Sequence, residues 1–271
     1  MSPRTLAILT IAGSDPSGGA GIQADLKTLT VLGVYGCAAV TSLTVQNTLG
    51  VQSCHPVAPD LVYQQVAAVL ADLTVTHVKI GMIGSTTVAQ AIVQALNGFT
   101  GEIVYDPIIF TSVGQPVQAT DTLDGIRQVA GIATVLTPNL HELRLIGDAP
   151  CPDTAEILRA GLGLLDAFPN LKALVIKGGH LHEEEAEVTD FLFVSGEPEP
   201  WPRTHRRITS TNTHGTGCTF ASALAAYHQQ YGDYRQAFNQ AVDFLDSLLV
   251  VSSGWQQGHG NGGLCHHLFQ G

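Results

Sequence analysis

Seven short apolar runs, at 6–12, 36–46, 77–81, 102–106, 133–137, 172–177 and 188–194, alternate with segments of helical period. The helical segments lie near 20–32, 59–72, 86–97, 120–130, 139–146, 154–167, 217–230 and 233–252. A run such as Ala173-Leu174-Val175-Ile176 has no polar face, so it belongs in a strand covered on both sides. Strands of that kind separated by helices predict an α/β fold, with a central, mainly parallel sheet flanked by helices. The segment 179–210 breaks the alternation. It is polar, carries Glu183-Glu184-Glu185 in what reads as a solvated loop, and predicts a small antiparallel strand pair added to the sheet. No shift of composition divides the 271 residues, which predicts one domain over 1–271.

Charge narrows the function classes. A formal net charge of -11 leaves no basic stripe for a nucleic-acid backbone. The only lysines are Lys27, Lys79, Lys172 and Lys177, so an anionic ligand must rely on backbone amides, a metal ion and very few cations. The five cysteines are odd in number, scattered and without C-x-x-C spacing, which predicts a reducing compartment with no disulfide framework and no structural zinc. Arg4 followed by Leu6 to Ala12 faintly mimics a signal peptide, but the run is short and reads as a buried first strand. No apolar run approaches the roughly 20 residues of a membrane span. A cytoplasmic protein is expected.

Ligands of open α/β sheets collect beyond the carboxyl ends of the strands. At those ends stand Gly13-Ser14-Asp15, Gln46-Asn47, Gly81-Met82, Asp106-Pro107, Thr137-Pro138-Asn139 and Lys177-Gly178-Gly179-His180. The stretch Asn212-Thr213-His214-Gly215-Thr216-Gly217-Cys218 is a glycine-spaced turn running into a helix, whose free N–H groups and dipole suit an anion. The same field favours a thiolate, so Cys218 is expected to have a lowered pKa and to be a candidate base. A small hydrophobic cysteine behind a capped helix is the plain alternative. Asn139 and Glu142 have the spacing of a capping box, and Glu142 with Asp106 could equally organise water around Mg²⁺; spacing does not separate the two. Lys177 ends an apolar strand, and a phosphate contact is favoured there over a structural ion pair.

Other patterns carry less. There is no G-x-x-x-x-G-K-[ST], no G-x-S-x-G and no H-E-x-x-H. Gly19 to Ala24 spells G-x-G-x-x-A, yet the second strand ends in Gln46 where a dinucleotide ribose needs an acid. Gly258 to Gly263 spells G-x-G-x-x-G with too little chain after it for the required helix; it reads as a C-terminal loop able to cover a ligand. His180, His182, His266 and His267 lack a third metal ligand at useful spacing.

The run from Ala12 to Lys27 resembles the opening signature of the hydroxymethylpyrimidine/phosphomethylpyrimidine kinases of thiamine biosynthesis. Val45 to Thr48, Val78 to Met82, Asp106-Pro107, Thr137 to Leu140, Lys177 to His180 and Asn212 to Thr219 resemble the same family in the same order. The likeness covers nearly the whole chain. It implies a ribokinase-like fold, a dimer, and ATP- and Mg²⁺-dependent phosphorylation of 4-amino-5-hydroxymethyl-2-methylpyrimidine and then of its monophosphate. Carried over by position, Asp25 and Gln46 would hold the pyrimidine and Gly13 and Met82 would line its pocket. Cys218 would be the catalytic base, and Gly215, Thr216 and Gly217 the anion hole. Asn139 and Glu142 would stand near Mg²⁺, with Asp106 and Lys177 facing the ATP phosphates. One departure is Val242, in the last long helix, where family members often carry Lys near the nucleotide. Pyridoxal kinase of the same superfamily, a catalytically weak pyrimidine-binding regulator and an NAD-dependent oxidoreductase are the competing readings.

Overall fold

The computed structural model describes residues 5–109, 122–148, 153–179 and 185–270. Along the chain run β1 (Leu6–Ser14), α1 (Gly21–Val31), β2 (Tyr35–Asn47), β3 (Gly50–Pro56), α2 (Pro59–Asp72), β4 (Thr74–Ile80) and α3 (Thr86–Ala95). There follow β5 (Glu102–Tyr105), α4 (Leu123–Ile132), β6 (Val135–Leu136), α5 (Leu140–Gly147), α6 (Thr154–Ala167) and β7 (Ala173–Ile176). The last elements are β8 (Glu187–Val194), β9 (Trp201–Arg206), α7 (Thr216–Tyr231) and α8 (Tyr234–Ser253).

All nine strands form one sheet in the order β3-β2-β1-β4-β5-β6-β7-β8-β9. Pairing is parallel from β2 to β7 and antiparallel for β2–β3, β7–β8 and β8–β9. The expected antiparallel pair is therefore β8 with β9. One strand of the sheet, β3, falls on a stretch that the apolar pattern leaves without an element. Its sequence Gly-Val-Gln-Ser-Cys-His-Pro has no continuous apolar run, because it pairs on one side only, at the sheet edge.

Alternate residues of the central strands feed two separate cores, as a period of two requires. Leu9, Ile11, Val78, Ile80 and Leu136 pack with helices α2 to α6 on one face. Ile8, Val104, Val135 and Val175 pack with α1, α7 and α8 on the other. Chain order reverses between β1 and β4, and such a switch point opens a crevice beyond the strand ends. No helix among the described residues is long and apolar enough to cross a membrane.

Candidate active site

A cavity of about 640 Å³ occupies that crevice and follows the rim of the sheet toward β8. Of the residues singled out from sequence, Gly13, Gln46, Met82, Asp106, Asn139, Glu142, Lys177 and Gly215 to Cys218 all line it. They come from seven segments of chain, brought together because each lies at or just beyond the carboxyl end of a strand or at the start of a helix.

Asp25 is the exception. Its place on α1, one helical turn from Thr28 and Leu29, turns it into the core, where it is fully buried and has no surface on the cavity. Lys79 Nζ donates to both carboxylate oxygens at 2.8 and 3.0 Å, Ser222 donates from α7 at 2.9 Å, and Thr10 donates from β1. The carboxylate thus ties α1 to two strands and α7 beneath the cavity floor. A lysine inside the apolar run Val78-Lys79-Ile80 was the sequence signal for such a partner, since an unpaired buried ammonium is too costly.

The turn at 212–218 enters α7 through Gly215, whose φ of +81° is closed to most side chains. A Cβ there would also lie 1.9 Å from the Gly19 carbonyl oxygen. No side chain among the described residues caps this helix; the Thr216 N–H donates to the Thr213 carbonyl at 3.3 Å, so the N–H groups of Gly217 and Cys218 are the ones left for a ligand. A Cβ on Gly217 would stand 3.2 Å from Asp106 Oδ2 and 3.4 Å from Lys177 Nζ, which places the helix start against the charged end of the cavity.

Cys218 faces the cavity, with 4% of its surface exposed. Its expected low pKa is not found. Burial pushes the thiol up and outweighs the nearby Lys79 ammonium, and Asp25 and Asp106 add to the rise; the value stands at about 12. Desolvation wins because the side chain is almost wholly withdrawn from water.

Asp106 Oδ1 accepts from Lys177 Nζ at 2.7 Å and from Thr137 Oγ1 at 3.0 Å. Asp106 Oδ2 is buried with no hydrogen-bond partner among the described residues. Lys177 consequently makes the ion pair set against a phosphate contact in the sequence reading, and it lines the cavity as well. Asn139 and Glu142 do form a capping box at the start of α5. Glu142 also lines the cavity, and burial, opposed by Lys177 and reinforced by Asp106, lifts its carboxyl to about 7. An orphaned carboxylate oxygen on Asp106 beside a second carboxyl is a donor set that suits Mg²⁺, a hard ion held by few protein oxygens and several waters.

Asp15 and His214 stand in the stretches read from sequence but had no role of their own there, and His205 was not singled out. Asp15 and His214 line the cavity beside Gln46, 199 residues apart in sequence but with Asp15 Oδ2 and His214 Nε2 at 2.8 Å. At the far end, His205 sits between Asp246, whose Oδ2 is 2.9 Å from Nδ1, and Asp190, whose Oδ2 is 3.5 Å from Nε2. Burial alone would lower the His205 pKa, but the two carboxylates reverse that and raise it to about 9. Val188, Ile208, Leu245 and Leu249 give this end an apolar wall. Val242 is packed in the core, and α8 reaches the cavity one turn later, through Leu245, Asp246 and Leu249.

The decoys resolve physically. In the Gly19 to Ala24 pattern, the Gly19 and Ala20 N–H groups donate to Asp15 Oδ2, so they are not offered to a pyrophosphate. The Gly258 to Gly263 loop packs on Thr48 and the 211–214 turn and does not line the cavity. His266 is buried against Thr28 and Thr219, while His180 and His182 lie outside the described residues.

A mainly parallel sheet with an anion-receptive helix start at its switch point, facing a lysine and two carboxylates, defines a phosphotransferase site. The model of the phosphomethylpyrimidine kinase family matches residues 15–265, and the chain belongs to that family and is a kinase. It is 38% identical over 261 residues to the hydroxymethylpyrimidine/phosphomethylpyrimidine kinase of Escherichia coli, covering 95% of this chain and 96% of that one. Against the enzyme of the same name from Rhizobium meliloti the identity is 37%, covering 97% of each chain. The crystal structure of a phosphomethylpyrimidine kinase from Clostridium difficile superposes with a TM-score of 0.77 at 30% identity, covering 89% of this chain and 98% of that one. A pyridoxal kinase from Staphylococcus aureus, in complex with AMP-PCP and pyridoxal, superposes with a TM-score of 0.82 at 26% identity, covering 97% and 94%. These neighbours have the ribokinase-like fold expected from the sequence.

Proposed function

We propose that the chain transfers a phosphoryl group from ATP to the hydroxymethyl oxygen of 4-amino-5-hydroxymethyl-2-methylpyrimidine, and then to the monophosphate so formed, in thiamine biosynthesis. The observation that carries this reading is the sharing of one cavity by Gln46, the Cys218 thiol and the Asp106–Lys177 pair. Phosphoryl transfer asks the protein mainly for alignment and charge stabilisation. Gly13, Gln46 and Met82 would hold the heterocycle at the switch point, and Cys218 would take the hydroxyl proton. The first-turn amides of α7, those of Gly217 and Cys218, would stabilise charge on the moving group. Lys177 would pair with the nucleotide phosphates, and the apolar end beside Leu245 and Leu249 would receive the base. Asp106 Oδ2 and Glu142, next to the Asn139 cap, would hold Mg²⁺, which supplies charge neutralisation at the phosphates.

The test is a coupled ADP-release assay with the pyrimidine and then its monophosphate. Turnover of both is expected, and ADP release with neither would overturn the reading. The likeness to pyridoxal kinases supports a second reading, in which pyridoxal is the acceptor. Pyridoxal run beside the pyrimidine decides it, the larger kcat/KM naming the substrate. We further infer a homodimer from the exposed apolar strip Leu43, Val45 and Leu49 along the β2–β3 hairpin, to be checked by sedimentation equilibrium. A cytoplasmic setting is inferred from the four described cysteines, all of them free thiols.

A further inference from the structure

The hydrogen bonds around Asp15 fix more than a loop. Its carboxylate accepts from the Ser17 N–H at 2.8 Å, the Ser17 hydroxyl at 2.7 Å, the Gly19 N–H at 3.1 Å and the Ala20 N–H at 2.9 Å. Burial alone would raise its pKa, but the bonds from His214 and Ser17 outweigh burial and hold it at about 2. Asp15 is therefore an ionised acceptor, and the His214 Nε2 that lies 2.8 Å from it must carry a proton, whatever the state of the other ring nitrogen.

That proton decides how Gln46 stands. The Gln46 Nε2 position lies 2.8 Å from the same His214 Nε2. An NH₂ group cannot donate to a nitrogen that is already a donor. The two ends of a carboxamide are alike in size, and hydrogen-bond chemistry determines which is oxygen. The oxygen must therefore face His214, sharing its proton with Asp15. The NH₂ is then turned to the other end, which has no hydrogen-bond partner among the described residues and stands on the cavity wall.

We propose that Asp15 and His214 are a positioning pair that locks the Gln46 carboxamide with its NH₂ toward the substrate, so that the site selects heterocycles presenting a ring-nitrogen acceptor there. This rests on the reading of the cavity as a pyrimidine site. A 4-aminopyrimidine offers a lone pair at N3. Its 4-oxo counterpart carries N3–H, which would set donor against donor. Selectivity against the oxo compound is thus written into residues that act through Gln46, and it depends on a contact between the segment after β1 and the 212–218 turn.

The experiment measures binding of 4-amino-5-hydroxymethyl-2-methylpyrimidine and of its 4-oxo counterpart by calorimetry, with kcat/KM on both. Wild type is expected to prefer the amino compound by about tenfold to hundredfold, the cost of one unmet buried donor. His214→Ala frees the carboxamide to turn over, and the preference should fall by about tenfold. His214→Gln keeps an N–H where the imidazole had one and should restore it. Gln46→Glu tests the same point without touching His214: it presents oxygen to the cavity and should shift preference toward the oxo compound. An amino-to-oxo ratio unchanged in both His214→Ala and Gln46→Glu would overturn the assignment while leaving the kinase intact. Binding of neither compound by wild type would remove the pyrimidine reading and this inference with it.

Discussion

Cys218 stands where a helix start and the Lys79 ammonium both favour the thiolate, yet burial keeps it a thiol. With a value of about 12, the ionised fraction at pH 7 is about 10⁻⁵. If this thiol is the base, only its rare ionised form in the free enzyme starts the reaction. The logarithm of kcat/KM should then climb with pH across the neutral range and show no plateau near pH 8 from this group. A pH–rate profile of the wild type checks the slope. Cys218→Ala should lower kcat by about 10² or more with a smaller effect on KM. Near-normal turnover would remove the base assignment but not the kinase. Asp25 teaches a related lesson. It lies inside the family signature, but Ala24, Asp25, Thr28 and Leu29 share one buried stripe of α1. That periodicity was readable, and it points to the core rather than to a ligand.

Two ion pairs bind elements together. Lys79 and Asp25, both fully buried, join β4 to α1. Lys79→Met strands a buried carboxylate and should cost about 3–5 kcal/mol in urea unfolding. The double variant Lys79→Met/Asp25→Leu should recover most of that loss, because no charge remains unpaired. His205 clasps β9 to α8 through Asp246 and sits beside Asp190 of β8. Its folded pKa of about 9 lies above the ordinary 6.5, so its stabilisation is complete below pH 6.5 and is lost as pH rises through about 9. At most about 3 kcal/mol is at stake, from the usual conversion of pKa shifts to free energy. Urea unfolding at pH 6 and pH 9 should show the decline in wild type and a flatter response in His205→Gln. The His205 clasp was not visible in the sequence, since a histidine on one strand does not announce carboxylates 15 residues before it and 41 after it.

At the scale of the molecule, the C-terminal segment holds the 212–218 turn. Asn212 Nδ2 donates to the carbonyls of Ser252 and Trp255, the Thr213 N–H and hydroxyl donate to Asn261 Oδ1, and the His214 N–H donates to the Gly262 carbonyl. The same loop reaches the β2–β3 turn, where the His259 and Gly260 N–H groups donate to Thr48 Oγ1. Removing residues 255–271 would leave the Thr213 and His214 N–H groups without these partners and Asn212 with the Ser252 carbonyl alone, and would shift both His214 and the start of α7. The truncated chain should melt several degrees lower and lose at least about tenfold in kcat/KM, since small misplacements of aligned groups cost at least that much. An unchanged kcat/KM in a folded truncation would show that the turn holds its shape alone. Local patterning was enough to fix the alternation of strands and helices, the eight helices of the described chain and the rim on which the motifs gather, because periodicity and turn chemistry act over a few residues. Tertiary structure alone decided that β3 completes the edge, that Cys218 stays protonated and that Asp15 meets His214 and Gln46. Each of those outcomes depends on burial or on a contact between segments distant in sequence, which residue order does not encode locally.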